Sequence, residues 1–221
     1  MSARSASSLL CAIVGVVALG LMSSCNILLP TSYILQGGPK APAAYELPAK
    51  RTAMIVDDRS NRMSRVALRV EIGETVATEL LENDVIPEAI STRDSVAYAR
   101  RSDSAKQPVS IQRIGEALGA DQVVFIEVDQ FVLSGGSEQG GPEAMALIKV
   151  IDITSGTRLW PHAGSEAVQS FIRDIDPSLL TTSAGRREIE DKLAQQLGSD
   201  IAKMFYEHER RELGGRLGVK K

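Results

Sequence analysis

Four carboxylates near the ends of predicted strands are the side chains with the clearest potential for chemistry. Asp57 and Asp58 directly follow the apolar run Ala53–Val56, and Glu127 and Asp129 alternate along a later strand. Carboxylate oxygens are the ligands that Ca²⁺ and Mg²⁺ prefer, and α/β sheets often hold ligands where their strands end. A metal-dependent or small-ligand enzyme that uses Asp57, Asp58 and Asp129 is therefore one hypothesis. The plainer interpretation, which we favour, is that the first pair builds a turn and the second pair marks the solvated end of a strand.

The other side chains that could act in catalysis form none of the patterns that known reaction types require. His162 and His208 are the two histidines, and they form no HExxH or other metal-spaced pair. Gly135-Gly136 and Gly140-Gly141 lack the Lys-Ser/Thr of a phosphate-binding loop, and the sequence has no G-x-S-x-G elbow. We therefore predict a protein that is not an enzyme and that carries no cofactor.

The amino-terminal segment has the pattern of an export signal. Arg4 and the terminal amine precede the apolar run Leu9–Met22, which is short for a membrane span, and two serines then precede Cys25. This segment resembles a bacterial lipobox, in which the cysteine is diacylated and becomes the first residue of the mature chain. Met22 stands where that pattern prefers Leu. We predict a lipoprotein signal peptide over residues 1–24; an ordinary cleaved signal peptide or a short anchor, with Cys25 incidental, is the alternative.

The cysteine content and the charge fit a protein of the cell envelope. Cys11 lies in the predicted leader, so Cys25 is the one cysteine of the predicted mature chain, and a lipidated thiol forms no disulfide. Acyl chains on Cys25 bury enough CH₂ groups for stable anchoring. Asn26 is not the Asp that retains lipoproteins in the inner membrane of enteric bacteria, so we expect the periplasmic face of the outer membrane. The net charge of −3 gives no indication of nucleic-acid binding.

The chain is predicted to contain one α/β domain between a tether and a tail. Residues 25–50 hold four of the nine prolines and the pair Gly37-Gly38, which is typical of a tether that lets a domain stand off the membrane. Residues 51–210 carry the apolar periodicities of helices and strands, and residues 211–221 form a basic tail.

The stretch from Ser110 to Val128 gives the clearest structural signal. Ser110 is a good helix N-cap, the apolar residues after it recur at helical spacing, and Gly119 stands where a helix favours a left-handed cap. The run from Val123 to Val128 then predicts a strand that is covered on both faces. A helix that leads directly into a buried strand is a unit of an α/β fold.

The neighbouring segments extend this unit to a mixed β-sheet packed by helices, in the order β-α-β-α-β-β-β-α. The apolar face of the first long helix is predicted to contain Val66, Val70, Ala77, Leu80 and Leu81. Strands are predicted over 51–56, 85–86, 122–128, 144–153 and 157–160, and helices over 63–82, 111–118 and 186–208; a short helix at 95–100 and one more strand at 166–172 are further candidates.

Three of these features resemble a superfamily of bacterial envelope proteins. They are the helix end and strand of Glu116–Val128, the hairpin Lys149–Trp160, and the early strand and long helix of Arg51–Glu82. The superfamily includes the curli-secretion lipoprotein (CsgG) family, the amino-terminal domain of TolB, and the LpoB-type activators of penicillin-binding proteins. The resemblance implies an α/β fold. The pore-forming member needs two long amphipathic hairpins, which this sequence lacks, so the resemblance implies the accessory type that binds another envelope protein.

The sequence therefore predicts a lipid-anchored periplasmic protein that helps to assemble or regulate an envelope complex of the cell-wall synthase or secretion type. We expect its unidentified protein partner to dock at an edge strand or at the surface around Trp160, because Pro161 follows that residue and limits regular strand pairing. A metal-dependent enzyme and a homo-oligomeric structural lipoprotein are the alternatives.

Overall fold

The computed structural model describes residues 40–102, 109–133, 141–173 and 175–209, and these form two units. The units are Met1–Ala41 with His208–Lys221, and Pro42–Glu207. In the first unit, β1 (Lys40–Ala41) pairs with β8 (His208–Glu209) in an antiparallel ladder. The second unit contains the main sheet and every helix among the described residues, and the rest of the description concerns it alone.

A six-stranded mixed sheet forms the centre of the second unit. Its middle strands run in the order β3-β2-β4-β5, with β2 parallel to both of its neighbours and β5 antiparallel to β4. β6 and β7 pair with successive parts of β5, so they lie end to end along its outer edge. The strands are β2 (Thr52–Asp57), β3 (Ala89–Ile90), β4 (Gln122–Val132), β5 (Glu143–Asp152), β6 (Arg158–Trp160) and β7 (Glu166–Phe171).

Four α-helices pack on the two faces of this sheet, which confirms the predicted mixed α/β class. One face is covered from β2 to β7, and its core contains fully buried leucines and isoleucines of α1 and α4. The other face is covered by α2 and α3 over β2, β3 and the first half of β4. The helices are α1 (Ala67–Glu82), α2 (Thr92–Ser102), α3 (Ile111–Leu118) and α4 (Ser183–Ala202).

α3 and its caps form as the sequence predicts. The hydroxyl of Ser110 accepts a hydrogen bond from the amide of Arg113 (3.2 Å), and Gly119 adopts the left-handed conformation with φ 68°. The chain then enters β4, whose first five residues are buried. Both caps act within one turn of the helix, which is why the sequence alone was sufficient here.

α1 differs from its prediction in both its start and its buried face. It begins at Ala67 rather than residue 63, because the carboxylate of Asp58 accepts the amides of Arg62 (2.6 Å) and Met63 (3.1 Å) and holds them in the preceding turn. The predicted face was correct for Ala77 and Leu80, but Val66 and Leu81 are about 40% exposed. The buried face also contains Leu68, Ile72, Gly73 and Val76.

Two more boundaries differ from the prediction. The strand predicted at Val85-Ile86 occurs instead at Ala89–Ile90, because Val85 donates its amide to Leu80 (2.9 Å) in the turn that ends α1. α4 ends at Ala202, not at residue 208, and a 3₁₀ turn over Lys203–Phe205 follows it. Most of the segment from Gly135-Gly136 to Gly140-Gly141 lies outside the described residues.

Candidate functional site

The first predicted carboxylate pair builds the turn after β2. Asp58 is 2% exposed, and its two oxygens accept the amides of Arg62 and Met63, while the guanidinium of Arg69 lies 3.7 Å away. Asp57 forms an ion pair with Arg59 at 2.8 Å. The accepting capacity of Asp58 is therefore largely used by its own loop.

The second pair lies along β4, and its two members have different surroundings. Glu127 stands opposite Asp57 in the β2–β4 register and pairs with Lys149 of β5 at 3.5 Å. Asp129 is exposed, at an irregularity where one extra residue of β4 lies between Val128 and Gln130. Over the ranges that the structure describes, no three His, Cys, Asp or Glu side chains are grouped so that they could hold a metal ion. The metal hypothesis for Asp57, Asp58 and Asp129 stays a prediction, without a ligand set among these residues.

Trp160 lies at the end of β6 and is half-buried. Its ring stacks on Tyr45 with the centroids 5.6 Å apart, and it meets the edge of Phe205 at 6.1 Å. Burial raises the pKa of the Tyr45 hydroxyl, which fits a ring packed against the core. Much of Trp160 therefore contributes to packing, and the part that could contact a partner is its exposed edge.

The outer edge of the sheet beyond β5 is formed by β6 and β7, and we name it the β6–β7 edge. β7 alternates between exposed and buried residues in its second half, with Val168 and Ser170 facing the core. Phe171 is 36% exposed, and the guanidinium of Arg173 lies 4.9 Å from the centre of its ring. β7 pairs with β5 and with no other strand of the part of the chain that the structure describes.

Two concave surfaces lie on opposite sides of the sheet. An open groove of about 690 Å³ runs between α1 and α4, and its walls include Glu71, Glu74, Glu79 and Lys192. Several of its polar groups are already paired: Gln195 donates to Glu71 (2.7 Å) and Tyr206 donates to Glu79 (2.8 Å). Burial and the hydrogen bond to Glu79 raise the pKa of the Tyr206 hydroxyl, so that it stays protonated and donating near neutral pH.

The second concavity is a smaller cavity of about 60 Å³ beside α2, at the carboxyl end of β2. Three arginines, Arg59, Arg69 and Arg100, line it above an apolar floor. Residue spacing does not reveal this group of arginines, because its members are separated by up to 41 positions. The available signal was the cluster of charged residues directly after β2, where α/β sheets often bind ligands.

The hairpin between β5 and β6 lies at the end of the sheet opposite to the arginine-lined cavity, and it is stabilised there by an ion pair and hydrogen bonds. The Lys50 ammonium lies 2.8 Å from the Asp152 carboxylate, which also accepts the amide and hydroxyl of Ser155 at 2.9 Å. The hydrogen bond from Lys50, followed by those from Ser155, lowers the pKa of Asp152 to about 2. Gly156, with φ 67°, completes the turn that the sequence predicts.

The remaining predicted site residue, Cys25, and residues 26–39 of the predicted tether lie outside the described residues, whereas residues 40–50 are described and Leu47 among them is buried. Among the described helices, none combines the length and the apolar character that crossing a membrane requires. The lipid-anchor prediction therefore stays a prediction.

Comparisons with known proteins identify similar structures but no family. No family model matches the sequence, and no curated protein matches it. Solved structures that it resembles include a PelC dodecamer from Paraburkholderia phytofirmans (11% identity, TM-score 0.41, 73% of this chain and 94% of that chain). Another is lipoprotein GNA1162 from Neisseria meningitidis (18% identity, TM-score 0.39, 59% of this chain and 90% of that chain). A third is the LpoB C-terminal domain from Salmonella enterica (18% identity, TM-score 0.35, 63% of this chain and 92% of that chain). The neighbours thus include bacterial lipoproteins, and likeness at these TM-scores carries no conclusion about function.

Proposed function

We propose that this chain is a lipid-anchored accessory protein of the bacterial cell envelope, without enzymatic activity, that binds a protein partner. Cys25 carries the anchor, at the periplasmic face of the outer membrane, and the partner belongs to a complex of the cell-wall synthase or secretion type. The β6–β7 edge is the docking surface, and an extended segment of the partner adds to the sheet there as a further strand.

The observation that carries the proposal is the direction of the backbone groups of β7. The amide of Ile172 donates to the carbonyl of Pro142 (3.1 Å), next to the first residue of β5. Because backbone groups alternate in direction along an antiparallel strand, those of Phe171, Gln169 and Ala167 point away from β5. An outer row of such donors and acceptors is the template that strand addition uses.

The side chains along this edge favour an extended partner with apolar groups. Phe171 is more than one-third exposed and is held by Arg173, and the exposed Ala167 leaves the middle of the edge open to close approach. Trp160, at the end of β6, adds the exposed edge of an aromatic ring at the other end of the β6–β7 edge. Aromatic residues with a polar neighbour are enriched at protein interfaces.

The test replaces one outward-pointing amide without breaking the pairing with β5. Ala167→Pro removes the N–H of an edge position at which proline is tolerated, so the domain should fold while losing most of its partner. Ala167→Val keeps that N–H and should bind normally. We would crosslink the tagged full chain in living cells, purify it, and identify the captured proteins by mass spectrometry.

A Cys25→Ser version tests the anchor in the same experiment. We expect the native chain and Ala167→Val to capture the same envelope protein, and Ala167→Pro to capture several-fold less of it. Cys25→Ser should also capture less, because the protein no longer concentrates at the membrane. Equal capture by Ala167→Pro and Ala167→Val would refute strand addition at β7. Capture of this chain alone would favour the homo-oligomeric structural alternative.

A further inference from the structure

The carboxyl end of β2 lies beside the middle of β4, because Asp57 pairs with Glu127 while β4 continues to Val132. After β2 the chain turns to α1 on one face and continues to β3, whereas after β4 it continues to β5 on the other side. The chain therefore leaves the sheet at the end of β2 while β4 continues past it, and in open α/β sheets ligands often bind outside the carboxyl ends of strands. The carboxyl end of β2 is thus one candidate position for a ligand, independently of any side chain.

The small cavity lies at this place and has an apolar floor. Strands β2 and β4 provide Ile55 and Phe125, and α2 provides Val96 and Ala99. One buried water needs about 10–15 Å³ of cavity volume. A cavity of about 60 Å³ therefore accommodates a chain of roughly four water-sized groups. A floor of this composition favours a short aliphatic group over several waters, which would find few polar partners there.

The rim of the cavity is strongly basic. Its charged groups are the guanidinium groups of Arg59, Arg69 and Arg100 and the single carboxylate of Asp57. Arg59 engages Asp57 through Nε, and Arg69 engages Asp58 through one terminal nitrogen, so each keeps further N–H donors. Arg100 is exposed at the end of α2 and forms no ion pair with any described residue. Guanidinium groups in this arrangement suit an oxyanion, which they bind with paired hydrogen bonds.

From the basic rim, the apolar floor and the position at the strand ends, we infer that this cavity binds a small phosphate monoester with a short aliphatic substituent. The phosphate lies between the three arginines, and the substituent enters the floor beside Ala99. This site is distinct from the β6–β7 edge, so its test is independent of the proposed docking function.

The test measures thermal unfolding of the full chain, purified in a nonionic detergent, with probes of increasing likeness to the inferred ligand. The probes are sodium chloride, inorganic phosphate and butyl phosphate at equal ionic strength. Because a ligand of the native state raises the melting temperature, butyl phosphate at ten times its Kd should raise it by about 3–6 °C. Inorganic phosphate should bind more weakly, and chloride should cause no comparable change.

Two variants and one matched control connect the effect to the cavity. Arg100→Gln removes a guanidinium that supports no described contact, so folding should persist while butyl phosphate affinity falls about tenfold. Ala99→Leu fills the floor and should remove the advantage of butyl phosphate over inorganic phosphate. Arg93→Gln changes the same charge on the exposed side of α2 and should bind as the native chain does.

A fourth probe, dihexanoyl phosphatidic acid below its micelle concentration, distinguishes a lipid headgroup from a soluble phosphate ester. Tighter binding of this probe than of butyl phosphate, with the same loss in Arg100→Gln, identifies the lipid source; the reverse order identifies the soluble source. Either order supports the site. Equal stabilisation by chloride and butyl phosphate, or equal affinities of Arg100→Gln and Arg93→Gln, would overturn it.

Discussion

The two helix layers on the sheet use the same residue types in opposite ways. In the layer of α1 and α4, charged side chains join the helices: Arg65 of the preceding turn binds Glu190 (3.0 Å) and Asp191 (2.8 Å). Beside α2 of the other layer, Arg100 lines a cavity together with Arg59 and Arg69, and it has no ion-pair partner among the described residues. From this difference we expect one face of the sheet to contribute most of the stability, and we propose binding at the other.

Truncation of buried leucines should show this contrast most strongly. Leu197 of α4 is fully buried, and Leu197→Ala should lower the free energy of unfolding by about 3 kcal/mol or more through lost contacts and the cavity left behind. Leu118 of α3 is half-buried, so the same truncation there should cost about 1 kcal/mol. Urea unfolding of both variants is the measurement. Equal losses would show that the layers contribute alike.

Glycine substitutions should give the next largest difference. A Cβ on Gly198 of α4 would lie 2.7 Å from Cβ of Thr75 and 2.8 Å from the carbonyl oxygen of Ile72, neither of which can move without α1. Gly198→Ala should therefore cost about 2 kcal/mol. A Cβ on Gly115 of α3 would meet the tip of the Ile153 side chain, which can rotate, so Gly115→Ala should cost less than about 1 kcal/mol. Melting temperatures of the two variants test this, and a larger loss at Gly115 would reverse the comparison.

The edge at which the parallel strands begin lies away from the arginine cavity and gives a pH-dependent reference. The pKa of Asp152 is lowered to about 2 from its ordinary 3.8, so its stabilising effect is complete above about pH 4 and is lost as the pH falls towards 2. Because Lys50 is partly exposed, we expect the charged Asp152 to add about 1–2 kcal/mol to the free energy of unfolding. Asp152→Asn should lose this contribution at pH 7. In urea titrations, the free energy of unfolding of this variant should fall less steeply between pH 4 and 2 than that of the native chain. A native-like decline in this variant would assign the pH dependence to other carboxylates.

Neutralising one arginine in each layer should give the smallest effect. Arg65→Gln breaks the ion pairs to Glu190 and Asp191 and should cost about 1 kcal/mol in 0.1 M salt and less in 1 M salt, because these groups are partly exposed. Arg100→Gln should change stability by less than about 0.5 kcal/mol. Urea unfolding at both salt concentrations checks this. A loss at Arg100 equal to that at Arg65 would contradict the division between a stabilising and a binding layer.

The sequence predicted the elements whose signals are local. α3, with Ser110 and Gly119 as caps, and the hairpin turn at Asp152–Gly156 depend on contacts within a few residues, and both form as expected. The succession of strands and helices was also correct, because apolar periodicity reports burial on one face or two. These signals were sufficient to give a mixed sheet with helices on its faces.

The features that the sequence did not predict depend on partners from elsewhere in the chain. Gly73 of α1 is buried because Thr92 packs where a side chain would lie. The amino terminus of α2 receives the carboxylate of Glu74, which accepts the amides of Thr92 (2.9 Å) and Arg93 (3.4 Å). Such contacts follow from the packing of one element against another, which residue spacing does not encode.

The arginine cavity and the surroundings of Trp160 have the same origin. Arg59 and Arg100 come together only because α2 packs beside the turn after β2. Trp160 becomes half-buried because Tyr45, which lies 115 positions earlier, stacks on its ring. The sequence identified Trp160 as a notable residue, but its packing role required the fold.

The most direct test of the proposed docking at the β6–β7 edge uses a photoreactive p-benzoyl-phenylalanine in living cells. We would place it at Phe171 of β7, which is 36% exposed, and at Leu81 of α1, which is 40% exposed, so that accessibility is matched. The proposal predicts a defined crosslink to another envelope protein from position 171 and none from position 81. The same crosslink from both positions, or none from position 171, would contradict it.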